Sequence, residues 1–541
     1  MEKIFINGNI VTMDSTIKEA HAVYIKDNII SKVGSNEDIL KYKNPSTEII
    51  DLKNKTMLPG FIDSHMHLIN FGESLQKCDL RGVKSIDELI EKTKNFIKEK
   101  NLTSKDWILG EGWNHDMFKE KRLPNKQDLD KITTEIPISL TRTCLHLTVI
   151  NSKAIDICDI KSHIGKVKGG QIDIDKDENP NGVIRENAIK LINSNIPTPS
   201  KEEIKKMILD GISIALSKGI TSIHSDDLDS ISGVGYKEII NIYEELVEND
   251  ELPLKIYQQC RVNSVEDLND FIDNNYNNYK GSDFFKLGPI KLFTDGSLGS
   301  RTANLREPYN DDPTTKGIAI YSQDELDQLI MKSHNIGLSI AVHCIGDKAM
   351  DMTFDSIKKA YARNPRGDVR HGIVHAQITD HELMSNFKIY DVIGYVQPIF
   401  LNYDVHIVDN RLGKERASTT YNWKTMMDKG IRIPFSSDCP VETLDVMKGI
   451  YSAVTRKDLE GYPKDGWMND QRVSVENAIY NYTVNGAYAA FEEDCKGSIT
   501  EGKVADLVVL EDDILTIDKD KIKDIEIDMT FVNGKLKYKK F

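Results

Sequence analysis

The chain has 541 residues, 39% of them hydrophobic, and a formal net charge of −15. That length points to two or three structural units rather than one small core. The acidic balance argues against a nucleic-acid partner, which needs a basic surface.

No apolar run reaches the roughly 20 residues of a membrane span. The start, "MEKIFINGNIVTMD", has no basic region followed by an apolar stretch, so no signal peptide is read and a cytoplasmic protein is expected. Seven cysteines are scattered without a C-x-x-C pair, which speaks against a disulfide framework.

In chain order, the N-terminal segment reads as short strands and turns. "KIFINGNIVTMD" carries a hairpin signal at Asn7-Gly8, and "HAVYIKDNIISKVG" a turn at Asp27-Asn28. The C-terminus has the same grammar, with "GKVADLVVLEDD" and then "IEIDMTFVNGKLKYK" turning at Asn533-Gly534. One small β-sandwich built from residues 1–57 and 497–541 is the economical expectation.

The middle alternates strands and helices. The strand candidates are "GFIDSHMH", "GITSIHSD", "LKIYQQC", "GPIKLFTD", "LSIAVHCIG", "RHGIVHAQ", "VIGYVQP" and "IRIPFSSD". Helical stretches such as "KEEIKKMILDGISIALSKG" and "SQDELDQLIMKSHNIG" lie between many of them. Eight such strands with crossover helices predict an α/β fold, a (β/α)8 TIM barrel spanning 58–80 and 199–496. The stretch after the first strand is far too long for a βα loop. Residues 81–198 are therefore expected to form an inserted subdomain over the barrel mouth.

Chemistry-bearing residues recur at the ends of these strands, the end where barrel active sites lie. His65 and His67 close the first strand, two apart and so on one face. Lys291 stands between Ile290 and Leu292 in the fourth, where a lysine needs a reason to be buried. His343, His375 and Asp438 end the fifth, sixth and eighth. A lone histidine in an apolar strand is usually a packed core residue. The ordered set of four histidines and an aspartate is instead a nitrogen-and-oxygen ligand set suited to Zn²⁺. His224 ends the second strand, and His115 lies in "GWNHD". Asp295 and Arg301 follow the fourth strand. All four are candidate substrate contacts, with turn formation and ion pairing as the plainer roles of the last two.

The motifs "MLPGFIDSHMHL", "GITSIHSD", "IKLFTDGSLGSRTANLREPY", "AVHCIGDKAM", "RHGIVHAQ", "YVQP", "SSDCPVE" and "KGSITEGKVADLVVLEDD" occur in this order. On them the chain resembles the amidohydrolase superfamily, and within it the YtcJ-like branch that includes N-substituted formamide deformylase and AepA-like proteins. The resemblance implies the same barrel and sandwich. It also implies metal ligation by His65, His67, His343, His375 and Asp438, with one or two divalent ions. It places Lys291 where relatives carry a carboxylated lysine that bridges two metals. It makes Glu186, in a Gly-x-x-x-Glu pattern, the alternative bridge, and His146 a substrate contact.

The expected function is hydrolysis of a non-peptide carbon–nitrogen bond, in an amide or N-formyl amine, with Asp438 as general acid and base. A deaminase using one metal and a non-catalytic regulatory protein on the same scaffold are the alternatives. The expected partner is a small-molecule substrate, with no nucleic acid and no membrane, and the superfamily leans towards homodimers.

Overall fold

The computed structural model describes residues 2–17, 19–142 and 146–540. The chain divides into two compact units, residues 1–71 with 208–541, and residues 72–207.

The first unit is organised around a parallel sheet. Its strands are β1 (Phe61–Met66), β2 (Ile220–Ser225), β3 (Lys255–Arg261), β4 (Phe285–Phe293), β5 (Ile340–Cys344), β6 (Gly372–His375) and β7 (Ile393–Tyr395), hydrogen-bonded in that order. Helices return the chain between successive strands, among them Tyr236–Glu248, Val265–Asp273, Gln323–Asn335, Asp347–Arg363 and His381–Ile389. Every residue of β1, β2, β5 and β6 is buried, which a parallel sheet covered on both faces requires.

The eighth expected strand, "IRIPFSSD", is extended chain rather than a regular strand, bridging Phe435 to Val396. It nevertheless closes the sheet. On one side the Gly394 and Val396 amides donate to the Arg432 and Pro434 carbonyls at 3.0 and 3.1 Å. On the other, the Ser64 amide donates to Phe435 and the Asp438 amide to His65, at 3.2 and 2.9 Å. Pro434 can donate no ladder bond and Asp438 turns into left-handed backbone, so the segment cannot run as a long regular strand. The result is a nearly closed TIM barrel whose ligand-type residues sit at the C-terminal strand ends.

Both termini supply strands to two further sheets of this unit. Glu2–Ile6, Ala22–Lys26, Ile29–Gly34 and Glu48–Asp51 form one; Asn9–Ile10, Thr56–Pro59, Leu507–Leu510, Ile527–Val532 and Lys535–Lys539 form the other. The turns at Asp27-Asn28 and Asn533-Gly534 are hairpins with positive φ at both central positions, as expected. Asn7-Gly8 is not a hairpin. The strand before it belongs to one sheet and the strand after it to the other. Asn7 takes left-handed backbone, and its amide and side chain pair with the Asn36 carboxamide at 2.9 and 2.8 Å. A side chain at Gly8 would come within 2.5 Å of Leu52 Cδ1. The same residue pair that makes a tight turn elsewhere thus makes a sheet-to-sheet crossing, with the strand on each side paired in a different sheet.

The second unit carries a six-stranded sheet in the order Gly170–Ile174, Pro180–Glu186, Leu147–Ile150, Ile138–Arg142, Ile108–Trp113, Cys78–Asp79. One core of this unit gathers Leu80, Ile108, Trp113, Ile138, Leu140 and Val149. The Trp113 indole N–H satisfies itself on the Leu140 carbonyl at 3.0 Å. Among the described residues no helix is long and apolar enough to cross a membrane.

Candidate metal centre

At the C-terminal ends of the barrel strands, the residues expected as ligands converge. His65 Nε2 and His67 Nε2 each lie 3.2 Å from Asp438 Oδ1. His375 Nε2 lies 2.9 Å from His343 Nδ1. The His65 and His375 rings join the two groups, with centroids 5.8 Å apart. His65, His67 and Asp438 form a cluster whose ligand atoms all lie within 4.8 Å of one another.

The outward-facing ring atoms fix the tautomers. His65 Nδ1 meets Gln259 Oε1 at 2.8 Å, and the Gln259 amide nitrogen is committed to the Ser64 carbonyl. His375 Nδ1 meets Gln397 Oε1 at 2.8 Å, and the Gln397 amide nitrogen is committed to Tyr395 O and Ser436 Oγ. His67 Nδ1 meets the Asp226 carbonyl at 3.1 Å, and His343 Nε2 the Gly296 carbonyl at 3.1 Å. Each outer nitrogen faces an acceptor and so carries the proton. Each inner nitrogen then presents a lone pair.

Lone pair therefore faces lone pair between His343 and His375, and lone pairs face a carboxylate oxygen at Asp438. His65 Nε2 and Asp438 Oδ1 are buried and find no hydrogen-bond donor. Acceptors held this close are stable only around a cation. The donor set, four imidazole nitrogens and a carboxylate, suits a divalent metal.

The electrostatics agree. Burial disfavours the imidazolium forms, and His375 is held down at about 3. Burial and the facing His375 push His343 well below its usual range. Burial would raise the Asp438 carboxyl; it falls well below the usual carboxylate range only when the facing His65 and His67 carry protons, and with both rings presenting lone pairs a cation is what would keep it ionised. Backbone geometry marks the same residues: His375, Ala376 and Asp438 all have positive φ, at 76°, 45° and 58°. Aspartate tolerates this left-handed conformation, and it is less usual for a histidine at a strand end.

Lys291 is fully buried on the same face of the barrel. Its Nζ has no hydrogen-bond partner, lies 3.7 Å from Asp226 Oδ2 and sits 4.1 Å from the Phe293 ring centroid. Burial lowers its pKa while Asp226 and Asp438 oppose.

The other candidates are placed as follows. His224 is buried with neither ring nitrogen hydrogen-bonded, edge-on to Tyr257 at 5.1 Å. Burial holds it at about 3. The Asp295 carboxylate accepts the Ile345, Gly346 and Asn304 amides at 3.1, 2.7 and 2.9 Å, clasping the loop after β5. Arg301 forks onto Asp311 at 3.1 and 2.9 Å. His115, His146 and Glu186 belong to the 72–207 unit, where they line a cavity of about 680 Å³ with Arg142 and Arg185. There His146 Nδ1 meets Glu186 Oε2 at 3.0 Å, both side chains exposed, and Glu186 has φ 51°.

Four residues at the site were not picked out by sequence reasoning in these roles. Gln259 and Gln397 orient two histidines. Asp226 lies beside Lys291 and His67. Asp63 accepts the His65 and Ser437 amides at 3.2 and 3.1 Å and so ties β1 to the closing segment. Paired glutamines in the apolar run "LKIYQQC" were the available signal for Gln259. His371, just before β6, pairs outside the centre. It accepts the Ile340 amide at 3.2 Å and bonds His334 at 2.9 Å.

Comparison with known proteins identifies the family. Residues 48–538 match the family described as the Amidohydrolase family. The chain is 34% identical to the YtcJ protein of Bacillus subtilis (strain 168) over 541 residues, covering 100% of both chains. It is 24% identical to N-substituted formamide deformylase of Arthrobacter pascens, covering 99% of this chain and 98% of that one. The crystal structure of an uncharacterized metal-dependent hydrolase from Pyrococcus furiosus superposes with a TM-score of 0.77 at 30% identity, covering 95% of this chain and 100% of that one.

Proposed function

We propose that this chain, which belongs to the amidohydrolase family in its YtcJ-like branch and is a hydrolase of carbon–nitrogen bonds, acts on small amides or N-formyl amines with zinc at the site built by His65, His67, His343, His375 and Asp438. The observation that carries this reading is the set of inward lone pairs whose tautomers are fixed by Gln259, Gln397 and two carbonyls. The likeness to a formamide deformylase supports the choice of substrate class.

His65, His67, His343, His375 and Asp438 would hold a divalent cation, which when bound would supply a water of lowered pKa and polarisation of the substrate carbonyl. The protein's own part is proton traffic and orientation. Asp438, a carboxylate facing the ligand nitrogens, would take a proton from the attacking water and deliver it to the departing nitrogen. Burial disfavours the charged forms of His65, His343 and His375, while at His67 the facing Asp438 opposes burial and raises the pKa.

Lys291 as a carbamate bridging a second metal fits its burial and its missing hydrogen-bond partner. A second reading has its own observation. Asp226 Oδ2 at 3.7 Å favours an ammonium there, and with it a single metal. Glu186 is the other bridging candidate. We further read the two terminal sheets as one β-sandwich, because Phe5, Val23 and Ile25 of one share a core with Met57, Leu507 and Phe531 of the other. We read residues 81–198 as the inserted subdomain, and the protein as cytoplasmic.

The test is metal analysis of purified protein together with a panel of N-formyl amines and simple amides. Zinc-dependent release of formate or carboxylate supports the assignment. Release of ammonia from an amidine carbon, or no zinc-dependent turnover, overturns it. Intact mass with and without bicarbonate decides between carbamate and ammonium at Lys291.

A further inference from the structure

Arg261 ends β3 and stands in register with Lys291 of β4. Its guanidinium carbon lies 4.2 Å from the Phe293 ring centroid. The same ring stacks on the His343 imidazole, with centroids 4.9 Å apart and planes 22° apart. Arg261, Lys291 and a candidate metal ligand thus share contact with one phenyl ring at the C-terminal mouth of the barrel.

Its polar partners are few. Nε donates to Asn263 Oδ1 at 3.3 Å and lies 3.5 Å from Asp229 Oδ2, and the side chain is 29% exposed. Neither terminal nitrogen donates a hydrogen bond to another described residue. Other arginines of this unit use theirs: Arg301 forks onto Asp311, and Arg370 onto both Asp368 and Glu493. Arg261 is held in place by its ring contact and its Nε, and keeps the outward fork of the guanidinium free. A planar fork of N–H donors matches a carboxylate, and a stacked guanidinium has less side-chain freedom to lose on binding.

We propose that Arg261 sets substrate specificity by binding a carboxylate carried by the substrate, so that the amides hydrolysed are N-acylated amino acids or acids of that shape. This rests on the hydrolase reading above. The test pairs two compounds that differ by the carboxylate, N-formylphenylalanine and N-formylphenethylamine, on zinc-loaded wild type, Arg261→Gln and Arg261→Lys. Wild type is expected to prefer the acid by about 10- to 100-fold in kcat/KM, the scale of a lost charge-assisted contact. Arg261→Gln should remove that preference through KM and leave the neutral compound within about twofold; Arg261→Lys, a point charge without the fork, should fall between. An equal fall for both compounds, or no preference in wild type, overturns the proposal.

A binding arm separates this from the hydrolase assignment. Calorimetry with 3-phenylpropanoate and 3-phenylpropan-1-ol needs no turnover. Acid binding that Arg261→Gln loses supports Arg261 even if every amide is left intact, in which case the hydrolase reading is what fails. Acid binding unchanged in the variant, or absent from wild type, overturns the role of Arg261.

Discussion

Gln259 offers a direct test of the tautomer argument, because it touches His65 but not the cation. Its Oε1 accepts the His65 Nδ1 proton at 2.8 Å, and both side chains are buried. Gln259→Leu removes the acceptor and leaves a buried N–H without a partner. An orphaned donor of this kind costs about 1–3 kcal/mol. At 1.36 kcal/mol per tenfold, that is about 5- to 150-fold in any equilibrium that needs the ring so oriented. Outer partners of metal-bound histidines elsewhere are worth about 10- to 100-fold in affinity, in the same range. The assay is zinc affinity by competition with a chelating dye, on protein whose circular dichroism matches the parent. Gln259→Glu keeps an acceptor facing the ring and separates loss of orientation from loss of the amide. Unchanged zinc affinity in Gln259→Leu would refute the claim that the outer amide prepares His65 as a ligand.

Asp438→Asn should lower kcat by about 10²- to 10⁴-fold with the fold intact by circular dichroism, since the general acid and base is lost; turnover at the parent rate would remove Asp438 from the chemistry. His371 is held at about 3 by burial, against 6.5 ordinarily, so between those values the unfolded chain binds its proton and the native chain does not. Its contribution to stability is therefore full above about pH 6.5 and is lost as pH falls towards 3, at about 1.4 kcal/mol per pH unit. His371→Gln should flatten the dependence of melting temperature on pH between 7 and 5, and an unchanged slope would count against it. Gly346→Ala would bring a Cβ within 1.9 Å of the Asn304 carbonyl oxygen, beneath the Asp295 clasp that follows His343. Reduced zinc occupancy is expected there, with loss of soluble protein as the harsher result; parental zinc binding and melting would show that the clasp can move.

The barrel was legible because its signal is periodic and local. Buried runs such as "GITSIHSD" and "LSIAVHCIG" alternate with amphipathic helices, and histidines at strand ends stand out against apolar neighbours. The convergence of His65, His67, His343, His375 and Asp438 on one barrel end was legible for the same reason. What escaped was set by tertiary contact. "IRIPFSSD" closes the sheet through backbone bonds to both neighbours but has no regular ladder of its own. Asn7-Gly8 carries the local chemistry of a turn, and the pairing of its flanking strands in different sheets makes it a crossing. Gln259, Asp226 and Asp63 look like ordinary polar residues in the chain; their roles appear when β1, β2, β3 and the closing segment lie side by side.

The centre is over-determined by groups that do not themselves face the cation. His375 and Asp438 hold left-handed backbone, at a cost of order 1–3 kcal/mol each. Such conformations persist only where surrounding bonds fix them. At Asp438 the amide is held by His65 O, and the preceding Ser437 amide by Asp63 Oδ1. At His375 the ring is held by Gln397, whose own amide is anchored on Ser436 of the closing segment. The strands that carry the ligands are thereby cross-linked just behind them. The irregular eighth segment is part of this device, since a regular strand would not turn Asp438 inward against His65 and His67. The protein holds the lone pairs together against their mutual repulsion, and the energy stored in that arrangement is what a cation would release on binding.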